Sequence, residues 1–371
     1  MINLAEATTR WQRIRELMER DNLDVVIAVD SSRDEIQQGH ARWLTGYIAV
    51  GGPAAAIISR DGSVELISER IGKPTAAFYQ SNNISLDLVN GFSAKLLAER
   101  IAMKTPARLG VAELETFPAT TYLDLAYRAS PPEIVDFSGQ MTALRLIKSA
   151  EEIATIRHSA AIADKVWQHM PDIFRVGRAN YEIIADVEQL MRLEGAESGF
   201  NLVLPLPFHG RMMQSIGNPD RIKPNARYTM EVSPRYQGYY SQLTIPVTTY
   251  QADDEANSAY EDIVASKEAA QPLMKPGTEL GDVAKFIEQF LEERGHTMSS
   301  LSLGHFCGMA LEEPRHIPGQ PIILEEGMTL IFHPVLAHPE YHALMRADTY
   351  LITPEGAERL NKYAGGMLHV R

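Results

Sequence analysis

The chain has 371 residues, of which 45% are hydrophobic and 22% are charged, and its formal net charge is −13. This length predicts two domains of a soluble globular protein, and the acidic balance argues against a nucleic-acid or anionic-membrane surface and favours a small neutral or cationic molecule as partner. Apolar runs fall short of the ~18–20 residues that span a bilayer, and residues 1–20 form an amphipathic helix pattern rather than a signal peptide, so a cytoplasmic location is expected.

Helical and strand patterns alternate through residues 1–140. A helical period covers Leu4–Asp21, and a second one covers residues 92–102. Apolar runs of strand length lie at residues 23–29, 54–62, 63–68 and 108–113. Because the two periods alternate along the chain, we expect an α/β sheet domain.

A breaker-rich stretch, ASPPEIVDFSG at residues 129–139, separates this region from the rest. It predicts a boundary that gives two domains, residues 1–140 and residues 141–371. Helical spacing then dominates from Met141 to Arg192, and Ser149 followed by Glu152 is a capping-box pattern that would start a long helix.

The remainder of the second domain predicts strands, a second helix pair and further strands. Strands are expected around Asn201–Leu206 and Tyr228–Pro246, then a helix pair within residues 255–274 and 280–295, then strands near Thr329–Pro334 and Thr349–Thr353. Two helix pairs, each followed by antiparallel strands, predict an α+β domain with a crude internal repeat.

Several stretches in chain order resemble one family. They are LRLIKSAEEIATIRHSAAIADK, ARWLTGY, SLGHFCGMALEEP, LEEGMTLIFHP and MRADTYLITPEGAERL. The first is similar to the linker helix of the creatinase, aminopeptidase P and prolidase family, and the others are similar to further motifs of that family. The resemblance implies a creatinase-like α/β N-terminal domain, a pita-bread α+β C-terminal domain and a homodimer.

In the metal-dependent members of that family, five side chains hold two divalent ions, which activate a shared water. The resemblance places these five positions on Glu231, Gln242, His305, His333 and Ala347. Only the histidine at 305 keeps the family's residue type, and both bridging positions are uncharged, so a dinuclear metal centre is predicted to be absent. A shift of one residue would make Asp348 a ligand, but the flanking matches at Arg346 and Thr349 oppose that shift.

Creatinase keeps this fold without metal and cleaves a C–N bond of a guanidino-type group. The position of its catalytic histidine falls on Gln214 or Gly217, and the position of its glutamate falls on Thr244. The chain therefore resembles creatinase in architecture but departs from it at the acid–base residues, and creatine is not implied as the substrate.

The candidate catalytic residues are His305, His333, Glu231, Glu313 and His209, and the candidate substrate-binding residues are Gln242, Gln214, Tyr240, Thr244 and Arg346. His305 and His333 stand where the family points side chains into its pocket, whereas His338 and His342 are typical of a surface loop. Cys307, the single cysteine, excludes an internal disulfide and is expected to be a small buried hydrophobe rather than a nucleophile.

Four functions stay open at this point. The leading hypothesis is a hydrolase that cleaves a C–N bond of a small amide, amidine or amino-acid-like molecule without the dinuclear centre. The second places a single Fe, Mn or Zn ion on Glu231, His305 and His333 and permits hydrolytic, lyase or oxidative chemistry. The third is a non-catalytic binding protein. Xaa-Pro peptidase activity ranks below these three because it relies on the dinuclear pair.

Overall fold

The computed structural model describes residues 3–30, 39–49, 51–128, 130–207, 219–250, 254–299, 303–315, 321–341 and 343–370. The chain divides into two compact units, Met1–Arg145 and Leu146–Arg371. The predicted boundary after residue 140 lies inside the helix Ser138–Leu146, next to this division. Among the described helices, none is both long and apolar enough to cross a membrane.

The first unit is an α/β domain built on a six-stranded sheet. Its elements are α1 (Leu4–Arg20), β1 (Val25–Asp30), α2 (His40–Thr45), β2 (Ala54–Ser59), β3 (Val64–Ser68), α3 (Lys73–Ser81), β4 (Asp87–Asn90), α4 (Ala94–Met103), β5 (Arg108–Ala112), α5 (Ala119–Ala126), β6 (Glu133–Asp136) and α6 (Ser138–Leu146). The strand order is β4-β3-β2-β1-β5-β6, with β1 antiparallel to β2 and parallel to β5. The predicted α/β class is confirmed.

The second unit contains two helix pairs and two five-stranded sheets. Its elements are α7 (Ala150–Ile173), α8 (Asn180–Leu193), β7 (Ser198–Leu206), β8 (Arg227–Tyr236), β9 (Tyr239–Tyr240), β10 (Leu243–Thr248), α9 (Asp254–Ala270), α10 (Leu280–Glu292), β11 (Gly304–Phe306), β12 (Glu313–Arg315), β13 (Thr329–Phe332), β14 (Asp348–Thr353), β15 (Gly356–Arg359) and β16 (Leu368–His369). One sheet has the order β16-β10-β8-β7, with β9 on β8, and the other has the order β12-β11-β13-β14-β15. The predicted α+β class is confirmed.

The start of α7 follows directly from its sequence. The Ser149 hydroxyl accepts a hydrogen bond from the backbone N–H of Glu152, and the Glu152 carboxylate accepts one from the backbone N–H of Ser149. This reciprocal pair is the predicted capping box, and it satisfies two N–H groups that the helix itself leaves without acceptors.

The first sheet of the second unit has one apolar face. Successive side chains of a strand point to opposite faces, so every second residue belongs to the same face. The face toward α7 and α8 is apolar and carries Met230, Val232, Leu243 and Ile245. The alternate residues of β8 and β10 therefore lie on the other face, and apart from Pro246 they are polar: Arg227, Thr229, Glu231, Ser233, Arg235, Thr244 and Thr248, with Gln242 just before β10.

The second sheet follows the same rule. Its face toward α9 and α10 is apolar and carries Phe306, Leu330, Phe332 and Tyr350. His305 and His333 alternate with these residues and so lie on the opposite face. The two sheets meet through paired backbone hydrogen bonds between Thr244 and Ala347, with N···O distances of 3.0 and 3.2 Å.

A buried charge cluster ties the second sheet to α9. The Asp348 carboxylate accepts hydrogen bonds from Lys267 Nζ at 2.6 Å and from Arg346 Nε at 3.0 Å, and all three residues are at most 3% exposed. Burial alone would raise the pKa of the Asp348 carboxyl, but the two cations outweigh burial and lower this pKa below its usual value. Burial lowers the pKa of Lys267 to about 8 against the attraction of Asp348.

We expect Asp348→Asn to lower the free energy of unfolding at pH 7 by about 3–5 kcal/mol, because it leaves Lys267 and Arg346 buried without a counter-charge. The lowered pKa of Asp348 contributes stability above the unfolded-state pKa, and this contribution is lost as the pH falls through the folded-state pKa. The free energy of unfolding of the variant should therefore fall less steeply than that of the wild type as the pH is lowered. Chemical denaturation across pH measures both effects.

Asp282→Asn is the matched control, because Asp282 pairs with Lys285 on the surface of α10 at 2.9 Å with both side chains exposed. A loss below about 1 kcal/mol is expected there. Equal losses in the two variants would contradict the role given to the buried cluster.

Candidate functional site

Four polar residues form two neighbouring rows across β8 and the start of β10. Thr244 is the cross-strand partner of Glu231, and Val232 is the partner of Leu243, which brings Ser233 beside Gln242. Ser233, Gln242 and Thr244 are at most 2% exposed, whereas Glu231 is half-buried. Glu231 and Gln242, which are 11 residues apart in the sequence, therefore lie on two paired strands.

Three oxygens of these rows lack a hydrogen-bond partner in the described part of the chain. They are Ser233 Oγ, Gln242 Oε1 and Thr244 Oγ1. A buried polar atom without a partner costs roughly 1–3 kcal/mol, and folded proteins leave few of them. Their concentration on one sheet face marks this face as a binding surface, where a ligand or water would supply the missing hydrogen bonds.

His305 and His333 come together on the second sheet. His305 lies in β11, His333 follows β13, and their ring centroids are 5.4 Å apart at an interplanar angle of 62°. His305 is 4% exposed, and its Nδ1 lies 3.3 Å from the carbonyl oxygen of Phe306. An Nδ1–H that donates to this carbonyl leaves Nε2 of the neutral ring unprotonated, which is the form that a general base needs.

The backbone around Ala347 decides which side chain of β14 faces the first sheet. Ala347 pairs with Thr244, and Thr349 Oγ1 lies within hydrogen-bond distance of both the backbone N–H and the carbonyl of Gln242. Asp348 lies between them and points the other way, toward Lys267. This geometry supports the register in which Ala347, and not Asp348, occupies the position beside Gln242.

Metal-binding donors are sparse on these faces. Within the described ranges, no three His, Cys, Asp or Glu side chains form a group that could hold a metal ion. Glu231, His305 and His333, the set predicted for a single ion, thus do not gather into such a group.

Glu313 is held by a buried ion pair. Its Oε2 lies 2.9 Å from Lys148 Nζ, both side chains are at most 4% exposed, and Lys148 also donates to the Leu146 carbonyl. A Cβ added at Gly308 would come within 2.6 Å of the Glu313 carboxylate. A carboxylate so closely packed and already neutralised by Lys148 fits a structural role better than the predicted catalytic one.

Arg346 does not fit the substrate-binding role predicted for it. Its five N–H groups all donate within the protein, to Asp348, to the Tyr260 hydroxyl and to the carbonyls of Tyr363 and Gly365. With 3% exposure, it has no donor left for a substrate. This commitment is not visible in the local sequence, because Tyr260, Tyr363 and Gly365 lie 86, 17 and 19 residues away from Arg346.

Of the two tyrosines in β9, Tyr240 lies on the side of the polar rows. Its cross-strand partner is Arg235, which shares the face of Glu231 and Ser233, and the Arg235 guanidinium lies 5.2 Å from the Tyr240 ring centroid. Tyr239 points the other way and donates from its hydroxyl to Glu152 of α7 at 2.7 Å. Only Tyr240 of the pair therefore faces the row of Glu231.

Comparison with known proteins assigns the family. The profile described as Metallopeptidase family M24 matches residues 154–354, which is more than half of the chain, and the profile described as Creatinase/Prolidase N-terminal domain matches residues 10–147. The chain belongs to metallopeptidase family M24. The predicted family and its two-domain architecture are confirmed, and so is the expected class of enzyme, a hydrolase of C–N bonds.

The similarity to relatives in the M24 family covers nearly the whole chain. A protein named Xaa-Pro dipeptidase from Pyrococcus horikoshii is 23% identical over 354 residues, which cover 95% of this chain and 96% of that protein. The solved structure of an Xaa-Pro dipeptidase from Bacillus anthracis matches with a TM-score of 0.82 at 20% identity, covering 98% of this chain and all of that one. The prolidase structure from Pyrococcus horikoshii OT3 matches with a TM-score of 0.79 at 22% identity, covering 95% and 98% of the two chains. Structural matches at this level of identity establish the M24 fold.

Some predicted site residues of this M24 member lie outside the described residues. His209, Gln214 and Gly217 are in this group, and their roles stay predictions. His342, which was expected in a surface loop, also lies outside the described residues. His338 is described, and its ring stacks on Tyr341 with centroids 3.6 Å apart.

Ser233 is the site residue that sequence reasoning missed. A serine two positions after Glu231 carries no motif of its own, yet the strand period puts it on the same face. The 11-residue spacing alone does not set the register, and Ser233 lies beside Gln242 because Glu231 pairs with Thr244. The signal was present, but it required the register of β8 against β10.

Cys307 is expected to resist thiol reagents in the folded protein. It is fully buried, and burial raises the pKa of its thiol to about 12, so the reactive thiolate is scarce at pH 8. Labelling with iodoacetamide, followed by mass spectrometry, should leave the native chain unmodified and modify the same chain in denaturant. Rapid full labelling of the native protein would contradict this assignment.

Proposed function

We propose that the protein hydrolyses a C–N bond of a small amide, amidine or amino-acid-like molecule without a dinuclear metal centre. One observation carries this proposal. The family resemblance places the metal-bridging carboxylates at two positions that hold Gln242 and Ala347. These two residues lie on adjacent strand segments where the two sheets join, since Ala347 pairs with Thr244 and Gln242 forms a hydrogen bond with Thr349.

The chemistry of these residues does not fit a pair of bridged ions. Two divalent ions about 3.5–4 Å apart repel each other and need bridging negative charge between them. A neutral amide and a methyl group supply none, and the nearby carboxylate of Asp348 is committed to Lys267 and Arg346 on the opposite face. The absence of a dinuclear centre is therefore part of the proposal.

The remaining side chains can carry acid–base chemistry. His305 and His333 are close enough to act on one substrate from neighbouring strands, one ring accepting a proton from water and the other donating one to the leaving nitrogen. Glu231 supplies the negative charge on the facing sheet and either activates water or binds a cationic group. Gln242 hydrogen-bonds the substrate in a pocket wall without metal.

The single-ion alternative has less support. It needs Glu231, His305 and His333 around one ion, but the described side chains contain no group of three such donors close enough to hold a metal. A non-catalytic binding protein is the remaining alternative, and the paired histidines argue against it.

Xaa-Pro dipeptide hydrolysis is the second candidate. Two Pyrococcus proteins that match about 95% of the chain are named Xaa-Pro dipeptidase, and these comparisons favour this activity more than the sequence motifs did. The deciding experiment offers the purified protein Xaa-Pro dipeptides with and without Mn²⁺ or Co²⁺, alongside small amino-acid amides and amidines. Metal-dependent cleavage of only the dipeptides would replace the leading proposal by this one.

Replacing either histidine should remove most of the turnover. We expect His305→Asn and His333→Asn each to lower kcat by about 10²–10⁴-fold, the usual contribution of a positioned acid or base, with the fold retained. The measurement is amine release from the best substrate of the panel. His296→Gln is the control, since His296 pairs with Asp262 in the helical layer, and it should turn over like the wild type.

Metal content provides an independent check. Protein purified without a metal-affinity step should hold well under one equivalent of Mn, Fe, Co or Zn by elemental analysis, and EDTA should leave its turnover unchanged. The double variant Gln242→Asp with Ala347→Glu restores two carboxylates and should gain bound divalent metal. Wild-type protein that holds two ions per chain and loses activity with EDTA would refute the metal-free proposal.

A homodimer and a cytoplasmic location remain proposals that rest on the family resemblance and on the composition. Size-exclusion chromatography with light scattering tests the first, and fractionation of the source cells tests the second.

A further inference from the structure

We infer that Ser233, Gln242 and Thr244 form a subsite that binds a cationic nitrogen group carrying several N–H donors. This inference rests on the proposed function, because it names the part of the substrate that the polar face of the first sheet would hold. Ser233 was not recognised from the sequence, and the three residues act together only because β8 pairs with β10 in the observed register.

The first step is that the unpartnered oxygens among the described residues of this sheet face are confined to the proposed subsite. Thr229 and Thr248 lie on the same sheet face and are equally buried, yet their hydroxyls donate to the carbonyls of Ala343 at 3.3 Å and Tyr250 at 2.7 Å. Further along the same face, beyond both threonines, the oxygens of Ser233, Gln242 and Thr244 lack partners in the described part of the chain. The fold therefore satisfies the hydroxyls at the Thr248 end of this face and leaves the oxygens toward the Gln242 end without partners.

The second step is the chemistry of the atoms that are left open. Gln242 Oε1 can only accept hydrogen bonds, and the two hydroxyl oxygens can accept as well as donate. The neighbouring side chain in the row is the carboxylate of Glu231, which is half-buried and reaches solvent. Acceptors next to a negative charge favour a cation with N–H donors and disfavour a carboxylate ligand.

The third step is size. Neighbouring strands are about 4.7–4.9 Å apart, and residues two positions apart along a strand are about 6.6–6.8 Å apart. With N–H···O distances of about 2.7–3.2 Å, one nitrogen can contact acceptors on both strands. The subsite therefore suits a single ammonium or amidinium group that enters past Glu231, and a larger apolar group would leave the oxygens unsatisfied.

The test measures binding and not turnover, so it does not depend on finding the substrate. Methylammonium and guanidinium at millimolar concentrations should raise the Tm of the wild-type protein, and tetramethylammonium, a cation without N–H donors, should not. Thr244→Val and Gln242→Met should each weaken binding of the N–H cations by about tenfold, as expected for a lost hydrogen bond to a charged group. The two N–H probes separate an ammonium site from an amidinium site.

Thr248→Val is the matched control on the same strand and face. It removes a hydroxyl that has protein partners, so it should lower the Tm of the ligand-free protein and keep the cation effect. Thr244→Val removes an orphaned hydroxyl, so the ligand-free Tm should stay equal or rise. Ser233→Ala, the smallest change of the three, replaces any variant that fails to fold.

Three outcomes would overturn the subsite. They are an equal response to methylammonium and tetramethylammonium, a cation effect that survives all three substitutions, and a Tm loss in Thr244→Val as large as in Thr248→Val. Failure of the proposed function looks different, because the N–H cations would still bind while no C–N bond is cleaved. Loss of cation selectivity with hydrolysis retained would refute the subsite alone.

Discussion

Each strand of the two sheets in the second unit sends one side chain toward the helices and the next one away from them, and the rest of the site depends on this alternation. The helix-facing residues, such as Val232 and Phe332, are apolar and fix the sheets against the two helix pairs. Burial of these apolar residues fixes the strand register, so the residues between them must lie on the opposite face of each sheet. The buried polar side chains on the face away from the helices therefore cost free energy unless a ligand or water forms hydrogen bonds with them.

The junction between Thr244 and Ala347 combines the two polar faces. A pair of backbone hydrogen bonds joins strands from different sheets, which brings Gln242 beside Thr349 and leaves the methyl of Ala347 next to the polar rows. At this junction the chain presents an amide and a methyl group. The nearby carboxylate of Asp348 instead accepts a hydrogen bond from Lys267 and so links the second sheet to α9.

Family membership and site chemistry depend on different parts of the sequence. Family profiles respond to the buried pattern and the turns, which this chain shares with M24 proteins over almost its full length. The chemistry depends on a few side chains, and changes such as those at 242 and 347 leave the fold intact. A shared fold therefore supports the hydrolase class, while the substrate depends on the few side chains that line the site.

The sequence by itself determined the helix pairs, the long strands, the capping box at Ser149 and the 11-residue spacing that pairs Glu231 with the strand of Gln242, because these rest on local periods and short-range contacts. Strands as short as β11, three residues long, carry too few residues for a period to be visible. Only the tertiary structure decided that Arg346 and Glu313 are consumed by ion pairs and that Ser233 joins the site. Lys148, which pairs with Glu313, is distant in the chain, and so are Tyr260, Tyr363 and Gly365, which accept hydrogen bonds from Arg346. No local pattern encodes a contact that forms only when two sheets and their helices pack together.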